Sequence, residues 1–191
     1  GAPVHRSVER PHALGTAGAL GALRSWLGGR PVLVTNADAW FGTDLDLAGF
    51  VAGWDGERTR LLCVHDPARG DFGPLRYCGV ALVPAATASA LEPVPSGLYE
   101  VSWRHEAAAD RLDLVVTDAP FIDCGTPADY LAANLASSGG ESVVDPTARI
   151  GAGAVVEGSV LWPAAAVEPG EVVRSAIRTP ELTVLVRPVA R

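Results

Sequence analysis

The sequence predicts an α/β fold: a mostly parallel sheet covered by helices on both faces, followed by a short β-helix tail. Three observations carry the prediction. Apolar, β-branched runs at 32–35, 60–64, 77–83 and 112–117 alternate with segments of helical period, the pattern of a layered sheet-and-helix domain. The run Val32-Leu33-Val34-Thr35 is continuous rather than alternating, as in a strand buried on both faces. Beyond Ser137-Ser138-Gly139-Gly140, where the composition shifts as at a linker, apolar residues recur every six positions. These are Val144, Ile150 and Val156, then, after a one-residue slip, Leu161, Val167 and Val173. The expected division is a domain over 1–137 and a linker with a repeat tail over 138–191. Only about two coils fit in that tail, so it must pack on something else for stability.

Taken in order, residues 1–13 are polar, carry Pro3 and Pro11, and read as an extended segment entering a turn, with a short strand at Val4, Ser7 and Val8. The helix that follows places Leu20, Leu23 and Leu27 on one face, with Ala19 and Trp26 beside them. Thr16 is its candidate N-cap and Gly28-Gly29 its stop signal. Asp38 follows the strand at 32–35, where an open α/β sheet places its ligands. Asp44 is positioned to cap a second helix that reaches about Gly53. Residues 65–74 form a loop rich in Gly, Pro and Asp, and Gly79 inside the next strand implies a close backbone approach. Helices are expected over 84–91 and 98–108. Phe121-Ile122-Asp123 continues or resumes the strand at 112–117, and Pro127 suits the first turn of a helix ending near Ala136.

Composition narrows the classes. A chain of 191 residues with 48% hydrophobic and 19% charged residues buries a full core and is not disordered. No apolar run approaches the roughly 20 residues of a membrane span, and no charged-apolar-small leader opens the chain. A net charge of -7 argues against nucleic acid as a partner and is compatible with anionic substrates captured through a metal. Cys63, Cys78 and Cys124 are odd in number and lack CxxC spacing, so neither a zinc site nor a disulfide framework is expected. They fit a reducing cytoplasm, each as a small buried hydrophobe. All fifteen basic residues are Arg, and Met is absent, so the chain is expected to begin inside a longer gene product.

Two clusters carry candidate chemistry. Leu14-Gly15-Thr16-Ala17-Gly18 opens a helix, where backbone N–H groups and the helix dipole favour an anion or a polar base edge. The other reading is a glycine-rich helix start that touches only protein. Asp38 in TNAD and Asp123 in FIDCGT each follow an apolar run, and two such carboxylates from separate strands can share one Mg²⁺. Each can equally cap a turn or helix. His5, His12, His65 and His105 lack zinc-type spacing, and Ser102 and Ser175 lack a nucleophile-elbow setting, so hydrolase chemistry has no support.

Together, LGTAG, a helix, VLVTNAD, YCGVALV, FIDCGTPADYLAAN and hexapeptide repeats resemble the sugar-1-phosphate nucleotidyltransferases, in their order and over essentially the whole chain. The branch most similar is that of the mannose-1-phosphate guanylyltransferases. The resemblance implies a Rossmann-like domain, incomplete at its N-terminus, and a left-handed β-helix tail through which a homo-oligomer can form. It implies transfer of a nucleotidyl group from an NTP, GTP favoured, to a sugar 1-phosphate, in the cytoplasm and without membrane attachment. Leu14 to Gly18 then contact the nucleotide base, Asp38 and Asp123 bind Mg²⁺, and Gly79, Glu100, Gly125 and Thr126 face the sugar phosphate. Two family features are missing: the N-terminal glycine-rich signature with its triphosphate-holding Arg and Lys, and the Phe-x-Glu-Lys-Pro segment. A catalytically incomplete sugar-nucleotide binder is therefore the alternative. A hexapeptide acyltransferase is a remote third, since no His lies within 144–180.

Overall fold

The structure is a computed structural model that describes residues 4–186. In chain order its elements are α1 (Gly15–Ala22), α2 (Arg24–Leu27), β1 (Val32–Thr35), β2 (Ala39–Phe41), α3 (Leu47–Val51), β3 (Thr59–His65) and β4 (Leu75–Val83). Then come α4 (Ala85–Ala90), a π-helical turn at Tyr99–Trp103, α5 (Arg104–Ala108), β5 (Leu112–Val116), β6 (Phe121–Asp123) and α6 (Pro127–Ser137). The tail holds β7 (Val143–Val144), β8 (Arg149–Ile150), β9 (Val155–Glu157), β10 (Val160–Leu161), β11 (Ala166–Val167), β12 (Val172–Arg174), β13 (Ala176–Arg178) and β14 (Thr183–Leu185). Among the described residues, two compact units emerge: 4–36 with 45–118, and 37–44 with 119–186. The composition shift at 137–140 lies inside the second unit. Val4, Ser7 and Val8 belong to no strand, and no described helix is long and apolar enough to cross a membrane.

The first unit is a mixed α/β layer. Its sheet runs β1-β4-β3-β5, with β1/β4 and β4/β3 antiparallel and only β3/β5 parallel. The expectation of a mostly parallel sheet is corrected here. A short loop joins β3 to β4 and is tied by Asp66 N–H to Pro74 O at 2.9 Å, and a connection of that length returns the chain antiparallel, whereas parallel neighbours need a dozen or more residues. Leu61, Cys63, Ala81 and Val83 on one sheet face pack with Ala17, Leu20, Leu27, Leu98 and Trp103 into one core. β1 alternates half-buried Val32 and Val34 with exposed Leu33 and Thr35, as an edge strand does. Asp46, not Asp44, caps α3, its carboxylate accepting from Gly49 N–H at 2.7 Å. Gly79 sits at φ +86° where the β3/β4 register shifts, and its carbonyl accepts from Asn36 N–H at 2.8 Å. The backbone approach expected at this glycine is that of β1's end.

In the second unit β6 does not continue β5 but pairs antiparallel with β2, Ala39 opposite Asp123 and Phe41 opposite Phe121. The tail then winds through three short strands and returns one layer on. Each pairing joins residues 17 positions apart, Val143 with Val160 and Glu157 with Arg174 among them, all parallel. Seventeen rather than eighteen is the one-residue slip legible in the spacing. Leu161, Ala165, Val167, Val173 and Ala176 fill the interior. Antiparallel β14 closes the last layer on β13. On the outside, α6 presents Leu131, Tyr130 and Leu135 to Val143, Val160 and Ile177, so the tail packs on a helix as its short length requires.

Candidate functional site

Asp38 and Asp123 are brought together by the β2/β6 pair. Asp38 lies in the turn before β2, Asp123 is the last residue of β6 opposite Ala39, and Cys124 N–H donates to the Asp38 carbonyl at 2.8 Å. Gly125 lies beside the Asp123 carboxylate, whose Oδ1 would make an ordinary 3.5 Å contact with a Cβ placed there. Thr126 caps α6: its hydroxyl accepts from Asp129 N–H at 3.2 Å and donates to the Asp129 carboxylate at 2.6 Å. The capping role accounts for its side chain fully.

A cavity of about 440 Å³ opens at this turn, lined by Asp38, Trp40, Cys124, Tyr130, Asn134 and Ser137 among others. α6 supplies one wall, because positions 130, 134 and 137 fall on one helical stripe. Asn134 is fixed by donating its side-chain amide to the Tyr130 carbonyl at 2.8 Å. The Cys124 thiol is held above its ordinary value, first by burial and then by Asp123, Asp129 and Asp38. Of these carboxylates, Asp38 lines the cavity itself. Among the described residues no group of three or more His, Cys, Asp or Glu side chains is arranged to hold a metal by itself. A pair of carboxylates from adjoining strand ends fits Mg²⁺, which takes one or two protein carboxylates and completes its shell with phosphate and water. It does not fit zinc, which wants four enclosing ligands.

The remaining candidates lie in the first unit. Leu14 is the residue before α1, and no side chain caps the helix; Thr16 lies inside it. Ser96 O accepts from both Ala17 N–H at 3.1 Å and Gly18 N–H at 3.4 Å, while Ser96 N–H donates to Leu14 O at 2.8 Å. Two of the amides expected to face a ligand are thus engaged within the protein, and Leu14 N–H donates to the Glu9 carboxylate. Gly15 sits at φ +68° over Ser96. Exposed Glu100, the second residue of the π-helical turn, folds over Gly97, next to Ser96. Leu14 to Gly18 and Glu100 accordingly meet around one short segment, 96–97. Sequence reasoning missed Cys124, Tyr130 and Asn134, although the 130/134/137 stripe was available in the helical spacing.

With that geometry in place, solved structures supply neighbours of similar fold. A mannose-1-phosphate geranyltransferase from Thermus thermophilus superposes on 94% of this chain and 72% of its own, with TM-score 0.62 and 16% identity. HddC from Yersinia pseudotuberculosis, solved in complex with GMP-PN, matches 65% of this chain and 63% of its own, with TM-score 0.50 and 20% identity. A provisionally assigned glucose-1-phosphate thymidylyltransferase from Bacillus anthracis matches 70% and 64%, with TM-score 0.50 and 17% identity. The chain shares their fold. It spans less than two thirds of the second and third of these proteins. No family model and no curated protein matches the sequence.

Proposed function

We propose that the chain serves nucleotidyl transfer: a sugar 1-phosphate oxygen attacks the α-phosphorus of an NTP, and pyrophosphate leaves. GTP and a mannose-type sugar are favoured, by resemblance alone, and the cytoplasm is the proposed setting. The observation that carries the reading is the juxtaposition of Asp38 and Asp123 across β2 and β6, beside a cavity, in a chain of this fold. Such chemistry depends on positioning and charge neutralisation rather than on covalent help from the protein. Asp38 and Asp123 would hold Mg²⁺, which supplies positive charge to the phosphate oxygens as pyrophosphate departs. Gly125 would leave room beside Asp123 for a phosphate, and Thr126 would hold the start of α6, with its amides, in place. Tyr130 and Asn134 would line the wall against which the substrate lies. Leu14 to Gly18 and Glu100 would bind the base and the sugar through the edges that Ser96 and Gly97 leave open. We read the tail as a left-handed β-helix, a reading supported by its three-strand layers and parallel 17-residue offset.

The experiment is pyrophosphate release from GTP and mannose 1-phosphate with Mg²⁺, comparing the wild-type chain with Asp38→Asn and Asp123→Asn. Loss in both variants, with unchanged circular dichroism, is the expected result. Release that persists in either variant would overturn the metal assignment. The absence of any Lys favours a second reading, binding without transfer. Calorimetric binding of GDP-mannose with no pyrophosphate release from the wild-type chain would select it.

A further inference from the structure

The first unit holds its own cavity of about 440 Å³, between the end of α4 with the segment after it and the π-helical turn with α5. Leu91 and Val101 give it apolar walls, and the buried hydroxyl of Ser102 faces it. Thr87, Glu92, Ser96, His105, Glu106 and Arg111 make up the rest of its polar lining. The Glu106 Oε2 atom is fully buried and has no hydrogen-bond partner. Arg111 N–H donates to the Glu106 carbonyl at 2.8 Å, which ties the two backbones together at the end of α5. Among the described residues, however, no carboxylate pairs with the Arg111 guanidinium. His105 Nε2 accepts from Arg104 Nε at 3.3 Å, which leaves Nδ1 as the ring's donor.

We infer that this cavity binds a small bipolar organic molecule of the amino-acid class, its ammonium seated at Glu106 and its anionic group at Arg111 and His105. Buried polar groups are almost always satisfied, and one left without a partner beside a cavity marks where a ligand donor belongs. An apolar ligand would leave that oxygen unpaired, and a simple anion would meet it with like charge. A divalent cation would satisfy Glu92 and Glu106 but would meet the unpaired Arg111 guanidinium with like charge. A ligand with both charges satisfies each end, and a short aliphatic spacer lies against Leu91 and Val101. The cavity is within the size range of small-molecule sites. The inference does not rest on nucleotidyl transfer, and its cavity shares no lining residue with the Asp38 cavity.

The test is titration of the ¹⁵N-labelled chain with three probes of matched length: 4-aminobutanoate, butylamine and butanoate. The expected result is that 4-aminobutanoate shifts the amides of Val101, Ser102 and Glu106, with a Kd at least about tenfold below either one-ended probe. Glu106→Gln should erase the advantage over butanoate, and Arg111→Gln the advantage over butylamine. Arg111 is exposed, so its variant keeps the test valid if the Glu106 variant unfolds. Equal affinity for all three probes, no shift at these amides, or an undiminished advantage in Arg111→Gln would overturn the inference.

Discussion

A methyl group at Gly18 would lie 2.3 Å from the Val94 carbonyl oxygen, and one at Gly21 would lie 2.4 Å from Glu92, so backbone and not a yielding side chain stands in the way. Gly29 provides the contrast, at φ +74° with nothing within 4 Å of an added Cβ. Gly18→Ala should lower stability by roughly 2–3 kcal/mol, as overpacking does, while Gly29→Ala should cost only about 1 kcal/mol of backbone strain. Urea unfolding followed by tryptophan fluorescence measures both, and equal losses would refute the close-packing argument. A second residue-scale prediction concerns Cys124. Removing the Asp38 charge stabilises the thiolate relative to the thiol, so Asp38→Asn should speed iodoacetamide alkylation of Cys124 at about pH 8. Cys63 and Cys78, fully buried and each pushed up to about 12 chiefly by burial, should stay silent in the same mass spectrum. A rate at Cys124 that is unchanged or slower would mean that the Asp38 charge does not reach the thiol. The sequence marked the LGTAG glycines as special but could not say for what: a glycine serving a ligand and one serving a neighbouring backbone look alike until Ser96 and Val94 are placed.

Elements were legible where a local signal decides them. Gly28 ends α2 at φ +59°, and Thr126 and Pro127 open α6, because each signal acts within a few residues of chain. Partners were less legible. The apolar run of β1 reads as burial on both faces, yet β1 is an edge strand with Leu33 and Thr35 exposed, and β2, with three residues, is too short for periodicity to register. The tail's charged ladder was legible only with the 17-residue offset in hand: Arg174 donates to Glu157 at 2.6 Å and 3.4 Å across the β9/β12 pair. The Glu157 carboxyl is lowered from its ordinary 4.5 by that bond. Asp145 is lowered from 3.8 by the Thr147 hydroxyl and amide. A carboxyl held lower in the folded state contributes stability above its ordinary value and loses it as pH falls through the folded one. The chain should therefore lose thermal stability as pH falls below about 4.5, from the ordinary carboxyl values upon which these shifts act. Melting curves at about pH 6 and pH 3 should show a smaller acid-induced drop in a variant carrying Asp145→Asn and Glu157→Gln. An undiminished drop would assign acid sensitivity to other carboxylates.

On the scale of the molecule, the chain does not divide where its composition changes. Ser137-Ser138-Gly139-Gly140 looks like a boundary because small, flexible residues gather there, yet α6 before it and the stacked strands after it form one core. Leu131 is 5% exposed, and its buried partners Val160 and Ile177 both lie beyond residue 140. α6 has 11 residues, short of the roughly 12–15 at which an isolated helix becomes marginal in water, so tertiary packing must hold it. A fragment ending at residue 137 keeps every residue of the first unit but removes the surface that α6 covers. In that fragment the amides of α6 should exchange with solvent as fast as those of an unfolded peptide, while β3 and β4, central in the first unit's sheet, retain protection. In the whole chain both sets should be protected together. Hydrogen exchange read by mass spectrometry distinguishes the cases. If α6 stays protected in the fragment, its stability comes from the β2/β6 pair and the turn at Asp123, and the carboxylate site is then self-supporting. If α6 exchanges freely, the wall carrying Tyr130 and Asn134 depends on the tail, and the cavity beside Asp38 exists only when the stacked strands are folded behind it.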